Sequence, residues 1–137
     1  MHHVADILEK KAEKVIWVEP LASIFDALKV MSEENVGAVC VQIEGYLVGI
    51  VSERDYVRHV ILDIHASQQT KVSEIMTTEV ITVTPEDTVR HCVALTKKHH
   101  IRHLPVVKEG KVLGMISLRD LFLDVIEETV GEVGENE

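Results

Sequence analysis

Two stretches of this chain carry a hydroxyl, a guanidinium and a carboxylate in the same order: Ser52-Glu53-Arg54-Asp55 and Ser117-Leu118-Arg119-Asp120. Each follows an apolar, strand-like run, Gly49-Ile50-Val51 or Gly114-Met115-Ile116, and precedes residues with helical apolar spacing. A strand that ends at a helix N-terminus offers free backbone N–H groups and a serine hydroxyl to phosphate oxygens. The aspartate can accept hydrogen bonds from both hydroxyls of a ribose. The same residues also fit a local role, Ser as N-cap and Asp as the acid three positions on. The two roles are compatible, because a capping carboxylate keeps a spare oxygen for a sugar diol.

Other reactive residues are less pointed. The dense cationic stretch Lys97-Lys98-His99-His100-Ile101-Arg102-His103 is matched in the first half by Ser32 to Ala38, which carries no positive charge. Lys97 and Lys98 read as helix-end cations, and the second-copy stretch as a whole is the better candidate for phosphate contact. The eight histidines lack HExxH or Cys/His zinc spacing, so no metal is expected. His2 and His3 read as part of a loose terminus. Cys40 and Cys92 sit in apolar runs and are expected to be buried free thiols rather than a disulfide. There is no G-x-S-x-G elbow, P-loop or G-x-G-x-x-G fingerprint, and no nucleophile with an identifiable base. No catalytic residue is assigned.

The elements that must position these groups come from a repeat. A shift of 65 residues aligns Pro20 with Pro85, Val18 with Val83, Val41 with Val106 and Glu44-Gly45 with Glu109-Gly110. Gly49, Ser52, Arg54 and Asp55 fall on Gly114, Ser117, Arg119 and Asp120. Nine of the 41 positions from 18 to 58 are identical without a gap, well above the roughly two or three that chance gives. Upstream, Val4 to Leu8 matches Val72 to Met76 at a shift of 68, so an insertion lies in the first connecting loop.

Each copy reads as β-α-β-β-α after a short leading helical turn. In the first, Val15 to Val18 is a strand, Ser23 caps a helix with Ala27, Leu28, Val30 and Met31 on one face, and a hairpin turns at Glu44-Gly45. The second repeats this, with Ile81 to Val83 as its first strand. Asp55 to Ile64 and Asp120 to Ile126 are helical, and His65 to Thr70 links the copies. Trp17 reads as core or as a rim aromatic that stacks on a base. The expected class is α+β: repeats over 1–66 and 67–128 packed through their sheets as one pseudo-symmetric domain, then a loose acidic tail over 129–137. A half of about 60 residues is marginal alone, which favours that packing.

The 137 residues are 46% hydrophobic with a net charge of -9, which fits one folded core and opposes a nucleic-acid footprint. The apolar runs, such as Val60-Ile61-Leu62, are too short to span a bilayer and no signal-peptide core begins the chain, so a cytoplasmic, membrane-free protein is expected.

The duplicated Gly-x-x-Ser-x-Arg-Asp, the turns at Ile75-Met76-Thr77 and Ile7-Leu8, and Ile101-Arg102-His103-Leu104-Pro105-Val106-Val107 together resemble the cystathionine β-synthase (CBS) domain, paired as in a Bateman module. The resemblance covers nearly the whole chain. It implies sheet-packed copies whose clefts bind adenosine-containing ligands: AMP, ADP, ATP, NAD(H) or S-adenosylmethionine. It places ribose contacts on Asp55 and Asp120, hydroxyls on Ser52 and Ser117, base-holding strands at Ile16 to Val18 and Ile81 to Val83, and phosphate contacts on Arg102 and His103. The implied ligand residues are Thr82, Val83, Ile101, Arg102, His103, Pro105, Ser117, Arg119 and Asp120 for the second copy, and Val18, Val36, Ala38, Ser52, Arg54 and Asp55 for the first. Gly37-Ala38 replaces Arg102-His103 in the first copy, so the Asp120 site is expected to bind more strongly.

The resemblance further implies a non-catalytic regulatory module, a homodimer, and a separate regulated partner protein. A scaffold or dimerisation module with a decayed site is the alternative, and a small enzyme using the His-rich cleft is the third reading.

Overall fold

The computed structural model describes residues 2–11, 14–61 and 69–135. The fold is mixed α+β, with five strands and six α-helices among those residues. In chain order they are α1 (Val4–Lys11), β1 (Trp17–Val18), α2 (Ile24–Glu34), β2 (Ala38–Ile43), β3 (Tyr46–Ser52), α3 (Glu53–Tyr56), α4 (Val72–Ile75), α5 (Val89–His99), β4 (His103–Lys108), β5 (Lys111–Ser117) and α6 (Leu118–Glu135). A π-helical turn, Val57–Ile61, follows α3. Ile64 and most of the linker expected over 65–70 lie outside the described residues.

The chain forms two compact units that cut across the sequence repeats. One comprises 15–80 with 109–112, the other 1–14, 81–108 and 113–137. In the first unit β1 pairs in parallel with β2, and β2 pairs antiparallel with β3. Glu44 and Gly45 turn that hairpin with φ of 51° and 86°, the left-handed pair that a two-residue turn needs to match strand twist. Beside β3, Tyr46 faces Lys111 at the start of β5, whose ammonium lies 4.5 Å over the Tyr46 ring. Helix α2 starts where Ser23 Oγ accepts the Asp26 N–H at 3.1 Å and ends at left-handed Asn35. Its Ile24, Ala27 and Met31 pack with Val39, Val41 and Val51, and α4 completes this core with Val72 and Ile75.

The second unit follows the same plan. Thr88 Oγ1 caps α5 by accepting the His91 N–H, and His100 takes the left-handed position that Asn35 holds in α2. Its core joins Val89, Cys92, Leu104, Val106, Ile116 and Leu121, completed by Val4 and Ile7 of α1. Each core therefore takes its leading helix from the other repeat, a mixing that the sequence alignment did not reveal.

Three expectations are corrected. The first strand of copy one shortens to Trp17–Val18, and that of copy two to a single bridge at Val83. Cys40 donates its N–H to the Ile16 carbonyl, whereas its counterpart Pro105 has no N–H to give Ile81, so that ladder stops. The acidic stretch after 128 continues as α6 to Glu135. Trp17 is not core: it is 45% exposed. Both cysteines are buried and free.

Candidate functional site

In each unit a strand runs straight into a helix, and the Ser-x-x-Asp pair sits at that junction. In the first unit Asp55 Oδ2 accepts the Ser52 N–H at 2.9 Å and the Ser52 hydroxyl at 3.0 Å, while Ser52 Oγ accepts the Asp55 N–H at 3.2 Å. This is a reciprocal capping box. The Glu53 N–H is anchored on the Gly37 carbonyl at 3.0 Å, tying the junction to the entry of β2. Among the other expected residues, Val18 and Ala38 bury their side chains in the fold, Val36 is half-buried and Arg54 is exposed. The local capping role is thus fulfilled, and no bond to Asp55 Oδ1 is seen among the described residues.

The second unit repeats the geometry with one addition. Asp120 Oδ2 accepts the Ser117 N–H at 2.8 Å, and Ser117 Oγ accepts the Asp120 N–H at 3.1 Å. The Leu118 N–H bonds the Arg102 carbonyl at 2.8 Å, the counterpart of the Glu53–Gly37 tie. Lys11, at the end of α1, enters this group: its Nζ donates to Asp120 Oδ2 and to the Met115 carbonyl, both at 2.9 Å. Nothing in local spacing signalled Lys11, because 109 residues separate it from Asp120. Val83 and Pro105 are buried, Thr82, Ile101 and His103 half-buried, and Arg102 and Arg119 exposed.

The charges of this second site act on one another. Burial pushes the Asp120 carboxyl up, but the Ser117 N–H, the bonded Lys11 ammonium and the Ser117 hydroxyl together bring it below the ordinary carboxylate range. Burial lowers His103, and Lys11 and Arg102 lower it further while Asp120 opposes them. The result favours a neutral imidazole near an ionised carboxylate. Burial also pushes the Cys40 thiol up to about 12 and Cys92 to about 11, which removes them as nucleophiles.

His2 departs from the loose terminus expected of it. Its backbone carbonyl accepts the Val89 N–H at 3.0 Å, and its ring faces Asp124 of α6. Asp124 is only 4% exposed, so its carboxylate requires a polar partner.

The family comparison matches the CBS domain twice, over residues 4–62 and 72–127. This chain belongs to the CBS domain family. Among CBS relatives, the mitochondrial CBS domain-containing protein CBSX3 of Arabidopsis thaliana is 37% identical over 134 residues; the match spans 91% of this chain and 65% of that protein. YhcV of Bacillus subtilis, a CBS domain-containing protein, is 30% identical over 88% of this chain and 86% of its own. Among solved structures, the CBS domain of NE2398 superposes with a TM-score of 0.86 at 39% identity, covering 90% of this chain and 97% of that one. The CBS domain pair of protein MJ0100, solved with 5′-methylthioadenosine and S-adenosyl-L-methionine, superposes with a TM-score of 0.79 at 27% identity, covering 96% and 98%. The fold is that of a CBS domain pair. Among the described residues no helix is long and apolar enough to cross a membrane.

Proposed function

We propose that this chain is a non-catalytic regulatory module that binds adenosine-containing nucleotides through its Ser-x-Arg-Asp junctions and signals by a conformational change. The observation that carries this reading is the pair of matching junctions. In each, one aspartate oxygen is used by the cap, leaving the other to accept from a ribose hydroxyl, beside a helix N-terminus suited to phosphate. The adenosine ligands of the MJ0100 pair support the same ligand class. AMP, ADP, ATP and NAD(H) all present this moiety, with Arg102 and His103 as phosphate partners at the Asp120 junction. The module acts as a cytoplasmic homodimer whose state a separate protein reads. For the signal to exist, the ligand must bind one arrangement more tightly than another.

The test is a thermal-shift panel with AMP, ADP, ATP, NAD, NADH and S-adenosylmethionine on the parent chain and on Asp55→Ala and Asp120→Ala. A ligand that binds the folded state raises Tm. A selective rise lost in one aspartate variant supports the reading and locates the site. No rise with any nucleotide overturns it in favour of a scaffold role.

A further inference from the structure

We propose that His2, Asp124 and Glu128 form a binding site for a divalent cation of the zinc class, separate from the nucleotide junctions. Asp124 and Glu128 are four residues apart on α6, and that spacing puts both carboxylates on one face. His2 is delivered to this face by the hydrogen bond from the Val89 N–H and by the bridge between His3 and Thr88. One donor atom from each of the three residues lies within 4.8 Å of the others.

His2 Nδ1 stands 2.8 Å from one Asp124 oxygen and 2.9 Å from the other, a three-centre contact that a shared N–H also makes. What points to a bound cation is that the charges do not balance. Asp124 is buried with His2 as its hydrogen-bond partner among the described residues, although a carboxylate has about four acceptor positions. Glu128, half-buried, makes no hydrogen bond or ion pair among those residues. The Lys10 ammonium, whose field reaches Asp124, is bonded to Glu127 at 2.6 Å.

A divalent cation supplies the missing charge. One imidazole nitrogen with two carboxylates suits zinc, cobalt or manganese better than magnesium or calcium, which favour all-oxygen shells. Three protein ligands leave coordination positions for water, and the His2 side chain, 34% exposed, gives the ion a way in.

The experiment titrates chelator-stripped full-length protein with Co²⁺, followed by visible d–d absorption, then displaces it with Zn²⁺ in a calorimeter. One equivalent with a rise in Tm is expected. Glu128→Gln, which replaces by an amide a carboxylate that has no bonded partner among the described residues, should retain the fold and weaken binding on the order of tenfold or more. His2→Gln and Asp124→Asn should do the same. Absence of saturable binding overturns the proposal and leaves His2 and Asp124 as a pair bridged by a proton. Binding unchanged in both Glu128→Gln and His2→Gln also overturns it, because the ion then sits on other histidines of the eight.

Discussion

Lys11 Nζ lies 2.9 Å from Asp120 Oδ2, the same oxygen that accepts the Ser117 N–H. The lysine and aspartate side chains are 25% and 20% exposed. The ammonium thus offsets the charge of a carboxylate whose other oxygen is proposed to accept from ribose, while the described residues place no cation on Asp55. The two junctions are alike in backbone geometry and unlike in charge. Lys11, more than the Arg102-His103 stretch, distinguishes them at the aspartate itself.

Replacing Lys11 with Met restores the full negative charge of Asp120 and makes its other oxygen, the one proposed to accept from ribose, a stronger acceptor. A part-buried ion pair of this kind contributes about 1 kcal/mol. Binding of 5′-methylthioadenosine, which has no phosphate to gain from a nearby ammonium, should tighten about fivefold in calorimetry. Weaker binding in Lys11→Met would mean that the lysine serves the ligand directly.

His103 gives the fold a pH dependence. Its folded-state value lies below the ordinary 6.5, so the unfolded chain holds the proton over a range where the folded chain has lost it. The associated stability is fully present above about pH 6.5 and is lost as pH falls from there through the folded value. Asp120, depressed below 3.8, contributes above that value and loses its contribution only in stronger acid. Urea midpoints should therefore fall between about pH 7.5 and 5.5, and His103→Gln should flatten that slope. An unchanged slope would place the dependence on another group.

The paired strand glycines differ in their surroundings. A Cβ on Gly49 would meet Met76 Sδ at 2.6 Å and the Thr77 carbonyl oxygen at 3.0 Å, whereas one on Gly114 would meet only the Leu8 Cδ2 end at under 3 Å, at 2.7 Å. Leu8 can rotate away, but the Thr77 backbone, bonded to Ile50 on both sides, cannot. Gly49→Ala should cost about 1–3 kcal/mol and Gly114→Ala less than about 1 kcal/mol in chemical denaturation. Equal costs would show that the segment bridged at Thr77 yields.

The repeat is the part of the structure most legible in the chain. The 65-residue shift carries Asn35 onto His100, Glu44-Gly45 onto Glu109-Gly110, and Val18 beside Val41 onto Val83 beside Val106, and each pair adopts matching backbone. Those features depend on local turn chemistry and alternation, which neighbouring residues encode. Lys11 on Asp120 and His2 on Asp124 are not local: 109 and 122 residues separate the partners. The shortened strand at Val83 was readable in principle, since Pro105 stands in the sequence without an N–H. Its effect emerged only once the register set it opposite Ile81. The continuation of α6 past Gly131 and Gly134 runs against glycine's weak helix propensity.

The exchange of leading helices has a bearing on how the chain acquires its structure during synthesis. The core that contains Ile24 and Val51 closes only when Val72 and Ile75 have been made. The core that contains Val4 and Ile7 waits for Leu121, so α1 must remain unpaired while the more than one hundred residues between them are made. Closing that loop late is an entropic cost to folding rate rather than to final stability. A chain cut at residue 66 would carry α1 without its core and the first core without α4, leaving two sets of apolar side chains exposed.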